Sequence, residues 1–256
     1  SEYAHKPVCW IYTEKGGNHG TINVKQALKY SCNCFFYEVG YRLGIAALEE
    51  YAKYFKLGTR TGIELPNENS GVLATRENLE KTGEQWRLGN TLSAIIGQGQ
   101  NSFSPVQIAR YISMVANGGN VVQPTIIKNI TNSSGEELNK EEILQNVRKK
   151  LGYEESEKSD INISEDTIRV VKEGMRSVTE EGDGTAYGAF YDFAFDVAGK
   201  TGSAEAGEYT NAWFVSFAPY DEPEIAAVVM IENGNKGSYA AHVARDIMDV
   251  YFGLNN

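Results

Sequence analysis

The sequence predicts an α+β chain, with helices through its first two thirds and three strands gathered near its C-terminus. Two observations carry this. From Val24 onward apolar residues recur at helical spacing: Val24, Ala27 and Leu28, then Phe35, Phe36, Val39 and Leu43. Residues 196–204, 212–218 and 224–232 are instead β-branched, aromatic or small apolar runs bounded by Pro or Gly, as buried strands are.

Each element follows in order. Residues 1–23 are polar and glycine-rich and read as a loop running into the first helix. The helical pattern breaks around Lys29-Tyr30-Ser31, where Ser31 is placed to cap a second helix. Another helix covers 45–55 and stops at Leu57-Gly58. Residues 58–90 read as one long irregular region, a length usually reserved for functional or mobile segments. Ser104-Pro105 opens the next helix, because proline suits the first helical position, and Asn117-Gly118-Gly119 closes it. Residues 121–130 read as extended. Residues 131–160 hold eight acids and five bases with few aromatics, and read as a solvated, poorly ordered surface excursion. A helix over 164–178, a tight turn at 181–186, the three strands, a turn at 234–237 and an amphipathic helix over 239–252 complete the chain. The expected organisation is one partial domain: a mainly helical part over 24–130, the acidic excursion, and a strand-bearing part over 161–256.

Composition excludes several classes of function. A length of 256 residues allows a sizeable core, and 41% apolar with 23% charged residues is ordinary for a globular domain. The net charge of −10 leaves no basic face for nucleic acid. No apolar run approaches the roughly 20 residues of a membrane helix, so a membrane anchor, if the protein has one, is expected outside this piece. Neither the three cysteines nor the three histidines fall at metal-site spacing, so no metal or cofactor is expected.

Three signals carry chemistry. Lys200-Thr201-Gly202 opens on the first strand, whereas its twin Lys81-Thr82-Gly83 lies in a polar loop and reads as a plain turn. Gly202 is expected to leave room for a substrate backbone along the strand edge. Ser31-Cys32-Asn33 is the only Ser-x-Asn in the chain and starts an apolar helix. Gly97-Gln98-Gly99 precedes Ser104-Pro105-x-Gln107-x-Ala109; a loop-to-helix junction explains the proline but not the repeated glutamine and glycine.

Taken together with Cys9-Trp10, His19-Gly20, Ala27-Leu28, Phe36-Tyr37, Leu43-Gly44, Gly62-Ile63-Glu64-Leu65-Pro66-x-Glu68, Ala116-Asn117-Gly118-Gly119, Gly184-Thr185-Ala186, Ala212-Trp213-Phe214 and Phe217-Ala218-Pro219, these motifs resemble the transpeptidase domain of class B, monofunctional penicillin-binding proteins. They cover nearly the whole chain outside 131–160. The family's nucleophile lies in Ser-x-x-Lys, and no serine here has a lysine three positions later. The chain is therefore expected to begin after the nucleophile, with none of its own, and to be inactive alone.

The resemblance implies a penicillin-binding, serine β-lactamase-like fold: an antiparallel sheet flanked by helices, beside an all-helical subdomain. It is expected to be incomplete, with the first strands and nucleophile helix absent and an exposed sheet edge that favours self-association. The implied reaction is acyl transfer from D-alanyl-D-alanine stem peptides of bacterial peptidoglycan to a neighbouring amine. Ser31 would relay a proton, Asn33 would hold the substrate amide, and Lys200 would supply positive charge and hold Ser31. Thr201 and Ser203 would bind the terminal carboxylate beside Gly202, with the Ser203 N–H as half of an oxyanion hole. The implied partners are stem peptides, β-lactams and membrane proteins of cell-wall synthesis, and the implied location is the extracytoplasmic face of the cell membrane.

Two alternatives stay open: a serine β-lactamase, with Glu68 as the tempting deacylating base, or a non-catalytic penicillin-sensing or scaffold domain. For the cysteines, a reducible Cys9–Cys32 or Cys9–Cys34 bridge that would strain Ser31 competes with three buried reduced thiols.

Overall fold

A computed structural model describes residues 7–153 and 162–254. The three expected strands form an antiparallel sheet in the order β1 (Ala198–Ala206), β2 (Tyr209–Ala218), β3 (Ile225–Ile231). In register, Lys200 opposes Val215 and Ser203 opposes Ala212. Side chains alternate across a strand, and β2 is apolar on both sides. Ala212 and Phe214 face a core shared with α9 (Tyr187–Phe190) and α10 (Gly237–Phe252). Phe217, with Val215 packed beside it, faces a second core built by α6 (Pro105–Ala116) and α8 (Glu165–Glu180). Helices thus cover both faces, which is why β2 reads as a continuous apolar run.

The remaining helices are α1 (Trp10–Lys15), α2 (Val24–Lys29), α3 (Asn33–Tyr54), α4 (Arg76–Glu80), α5 (Leu88–Ile95) and α7 (Lys140–Lys150). Gly44, at φ 76 and ψ 165, breaks α3 where the sequence pattern changes helix. The cap of α3 differs from expectation. Cys32, not Ser31, is the N-cap, and it caps without a side-chain hydrogen bond. Ser31 stands one residue earlier in the left-handed region at φ 51, with its hydroxyl engaged elsewhere.

Residues 58–90 are not wholly irregular, since α4 and the start of α5 fall inside them. The rest is held by polar side chains, which leave no periodic signal. Glu68 accepts from the Thr61 N–H at 2.7 Å, the Thr61 hydroxyl at 2.6 Å and the Gly62 N–H at 3.0 Å. From α6, fully buried Gln107 donates to Thr59 O and Ser70 O, both at 2.7 Å, and accepts from the Ser104 N–H at 2.9 Å. Arg110, one turn on and 4% exposed, donates to Lys56 O at 2.5 Å and to the Thr59 hydroxyl at 3.1 Å. The repeated glutamine of the Pro-x-Gln motif is therefore a loop clamp.

The acidic excursion also carries structure. Asn139 caps α7, Glu141 and Glu142 sit in its first turn, and Arg148, Lys149 and Lys150 in its last, each complementing the helix dipole. Leu144 is buried, and Arg148 pairs with Glu64 at 2.6 Å and with Gly62 O at 3.0 Å. The excursion is thereby fastened to the loop; its residues 154–160 lie outside the described ones. Residues 121–130 contain no strand, because Gln123 donates to Thr61 O at 2.6 Å and Thr125 to Glu64 at 2.9 Å, in place of any ladder.

Replacing Gln107 by leucine keeps the volume but strands the carbonyls of Thr59 and Ser70. A loss of about 2–4 kcal/mol in stability is expected, read as a lower urea midpoint at unchanged slope.

Candidate functional site

Ser31 and Lys200 come together where the helical part meets β1. The Lys200 ammonium donates to Ser31 Oγ at 2.7 Å and to the carbonyl of Thr201 at 2.8 Å, across 169 residues of sequence. Non-glycine residues rarely adopt a positive φ and do so mainly where surrounding contacts enforce it. At Ser31 those contacts are on hand. The Ser31 N–H donates to Leu28 O at 3.2 Å and the Cys32 N–H to Ala27 O at 2.9 Å. Trp10 Nε1 donates to Tyr30 O at 2.9 Å, and the His19 ring stacks on Tyr30 at 5.3 Å. The Cys9-Trp10 and His19-Gly20 motifs therefore serve as props behind the Ser-x-Asn turn.

A second set of contacts ties this turn to the sheet. Lys29, only 7% exposed, pairs with Glu181 at 2.6 Å and also with Asp183, and Tyr30 Oη donates to Asp183 at 2.8 Å. The same 181–186 turn carries Thr185, whose hydroxyl lies 2.8 Å from that of Thr201. Gly184 lets the turn fold back on α8, since a Cβ there would stand 2.4 Å from Val178 O. Thr185 escaped the sequence reading as a site residue; the Gly184-Thr185-Ala186 motif was the available signal.

The outer edge of β1 holds the rest. The Ser203 hydroxyl accepts from the Gly237 N–H at the start of α10, at 3.2 Å. In an antiparallel pair, one residue's N–H and C=O point the same way. Ser203 O receives a hydrogen bond from Gln98, so Ser203 turns its backbone away from β2, and its N–H lies on the open edge. Gly202 also packs closely against the neighbouring strand. A Cβ there would sit 3.2 Å from Trp213 Cβ, so the glycine serves packing against β2. Asn33 begins α3, half-buried, and among the described residues its carboxamide has no protein partner. Lys81 pairs with Glu77 on α4 at 2.8 Å, an exposed ion pair remote from this chemistry.

Burial lowers the Lys200 pKa to about 8. The ammonium form still prevails at neutral pH, but the group is poised to exchange a proton near neutrality. Burying the charge works against folding below pH 8, and that cost fades as pH rises from 8 toward the ordinary lysine value of 10.5.

Behind Ser31, Cys9, His19 and Cys32 bring one ligand atom each within 4.8 Å of one another, with Cys9 Sγ 3.6 Å from His19 Nδ1. Two thiols and an imidazole are donor types that a soft divalent metal takes. Burial raises the Cys32 pKa and lowers that of His19. This grouping was invisible to spacing rules, because the fold assembles it from three separated segments. All three cysteines are free; Cys9 and Cys32 are buried, but Cys34 is exposed, unlike the expected set of three buried thiols.

Residues 4–249 match the penicillin binding protein transpeptidase domain. The chain belongs to that family. A relative from Haemophilus influenzae, the peptidoglycan D,D-transpeptidase MrdA, is 32% identical over 93% of this chain and 37% of its own length. Stage V sporulation protein D of Bacillus subtilis is 32% identical over 94% of the chain and 35% of its own. The Pseudomonas aeruginosa PBP2 structure in complex with WCK 5153 superposes at TM-score 0.81 and 30% identity, over 98% of this chain and 53% of that one. The chain thus spans little more than a third of the curated relatives it matches. These likenesses are to class B proteins, and the expected penicillin-binding transpeptidase fold is the one found.

The buried charge gives a direct test. Melting curves of Lys200→Met against the unmodified chain should show a relative stability that favours the variant most at pH 7. That difference should shrink by up to about 3 kcal/mol as pH rises from 8 to 10.5. A difference independent of pH would contradict the buried, penalised ammonium.

Proposed function

We propose that this chain supplies two walls of the acyl-transfer cleft of a peptidoglycan D,D-transpeptidase. The observation that carries the reading is the 2.7 Å hydrogen bond from Lys200 to Ser31. A serine hydroxyl held by a lysine with a near-neutral pKa can pass a proton to a departing amine. Asn33, with its carboxamide uncommitted, holds the substrate amide. The Thr201 and Ser203 hydroxyls bind the terminal carboxylate beside Gly202, and the Ser203 N–H on the open edge is one oxyanion donor. The 256 residues contain no Ser-x-x-Lys, so on this reading the acylated serine is not among them and the chain alone forms no acyl-enzyme. The acyl donor is a D-alanyl-D-alanine stem peptide, and β-lactams act as its mimics.

Glu68 weighs against a β-lactamase. Its carboxylate is spent stapling its own loop through three hydrogen bonds, which removes the one deacylating base that the sequence suggested. A non-catalytic penicillin sensor would keep the walls without the relay, and the variants below separate it from an enzyme.

A membrane-anchored protein working outside the cytoplasmic membrane, with cell-wall synthesis proteins as partners, fits the relatives. One solved relative is a Helicobacter pylori PBP2 in complex with MreC, at 27% identity and TM-score 0.73.

Two measurements test the reading. A fluorescent penicillin should label a protein that carries both this chain and a Ser-x-x-Lys segment, and should leave the 256 residues alone unlabelled. In that longer protein, Ser31→Ala or Lys200→Ala should slow acylation by roughly 10²–10⁴-fold, the usual worth of a positioned acid–base group. Unchanged acylation in either variant would remove the relay, and sustained nitrocefin turnover would move the protein to the β-lactamases.

A further inference from the structure

The open edge of β1 is partly closed by a side chain. Gln98 Nε2 donates to Ser203 O at 3.1 Å, and Gln98 Oε1 accepts from the Glu205 N–H at 3.2 Å. One acceptor and one donor two residues apart on a strand edge are what the next strand's backbone would engage. A primary carboxamide offers the same pair in the same plane. Gln98 therefore fills, with its side chain, a position where an added peptide strand would pair.

The loop that carries it is built to present it. Gly97 and Gly99 flank Gln98 at φ 81 and 72, and the Gln98 N–H is tied back to Ser93 O at 2.9 Å. A Cβ at Gly97 would meet nothing within 4 Å, so that glycine serves conformation alone, turning the chain sharply. The Gln98 backbone is anchored to the end of α5, and its half-buried side chain reaches 105 residues along the sequence to β1. No packing need of the core explains this, and no role assigned above to the cleft residues uses Gln98.

We infer that Gln98 is a strand-mimicking latch, which an extended peptide must displace from Ser203 O and the Glu205 N–H in order to pair with β1. The inference rests on the acyl-transfer reading for its ligand class, an extended peptide ending in D-alanyl-D-alanine. Edge pairing of this kind gives affinity through main-chain hydrogen bonds, so a side chain that occupies the same groups competes with every such ligand. The latch makes the cleft selective: a ligand that cannot supply a backbone donor and acceptor in extended register leaves it shut.

The test uses the full chain, isotope-labelled, with Nα,Nε-diacetyl-L-lysyl-D-alanyl-D-alanine as probe. Without peptide, Gln98→Ala should raise hydrogen exchange at the Glu205 amide by about tenfold relative to the unmodified chain. Gln98→Glu, which cannot donate to Ser203 O but keeps the size, guards against a packing artefact. Both variants should bind the probe about three- to tenfold more tightly, the worth of one or two neutral hydrogen bonds no longer competed for. Saturation of the unmodified chain should shift the Gln98 side-chain amide signals. If the variants bind equally or more weakly while those signals stay fixed, Gln98 is a permanent brace: the latch is overturned and the peptide reading survives. If the probe shifts no β1 amide in any of the three chains, the peptide reading itself fails and the latch falls with it.

Discussion

The hydrogen bond from Lys200 to Ser31 joins the two halves of this chain, and much of the structure is arranged to keep its ends in place. Neither end is comfortable. Ser31 sits at a positive φ that non-glycine residues avoid, and Lys200 keeps a charge where burial disfavours it. Each is held by contacts with a separate purpose: Trp10 and His19 brace the serine turn, and Thr185 and Gly237 fix the hydroxyls beside the lysine. The 181–186 turn grips both sides at once, through Lys29 and Tyr30 on one and Thr201 on the other. Stability is given up at the site and regained in the props around it, a common arrangement where geometry matters for chemistry.

How much of this was legible in the sequence depended on what kind of force made each element. The strands and α6, α8 and α10 were legible because burial of one or two faces writes a periodic pattern. Helices α4 and α5 were not, because elements of five and eight residues set in a loop leave too little pattern, and α7 was masked by the high charge of its surroundings. The loop at 58–75 is ordered from within by Glu68 and from α6 by Gln107 and Arg110, whose partners lie far along the chain. No local rule can see such a bond. The Ser31 cap failed for a related reason: the propensity of serine for caps was overridden by a tertiary partner at Lys200.

Among the candidate site residues, the motif positions were readable in the sequence and the contacts between them were not. Ser31, Asn33, Lys200, Thr201 and Ser203 stand at their motif positions, and the fold brings Lys200 to Ser31. Gly202 has a packing role that the sequence did not show, since a Cβ there would sit 3.2 Å from Trp213 Cβ. Thr185 and the Cys9–His19–Cys32 grouping emerged only in three dimensions, since each is built from segments that the chain keeps apart.

The first residue of α10 sets a mechanical limit on the cleft. A side chain at Gly237 would lie 2.5 Å from Gly202 O and 2.7 Å from Trp213 O, so helix and strand touch backbone to backbone. There is no compliant side chain between them to absorb a displacement. β1 and α10 must travel together, and with them the apolar core beneath. Any breathing of the cleft is thereby assigned to the opposite bank, where the Ser31 turn and the Gln98 loop hang on hydrogen bonds that can be exchanged one at a time.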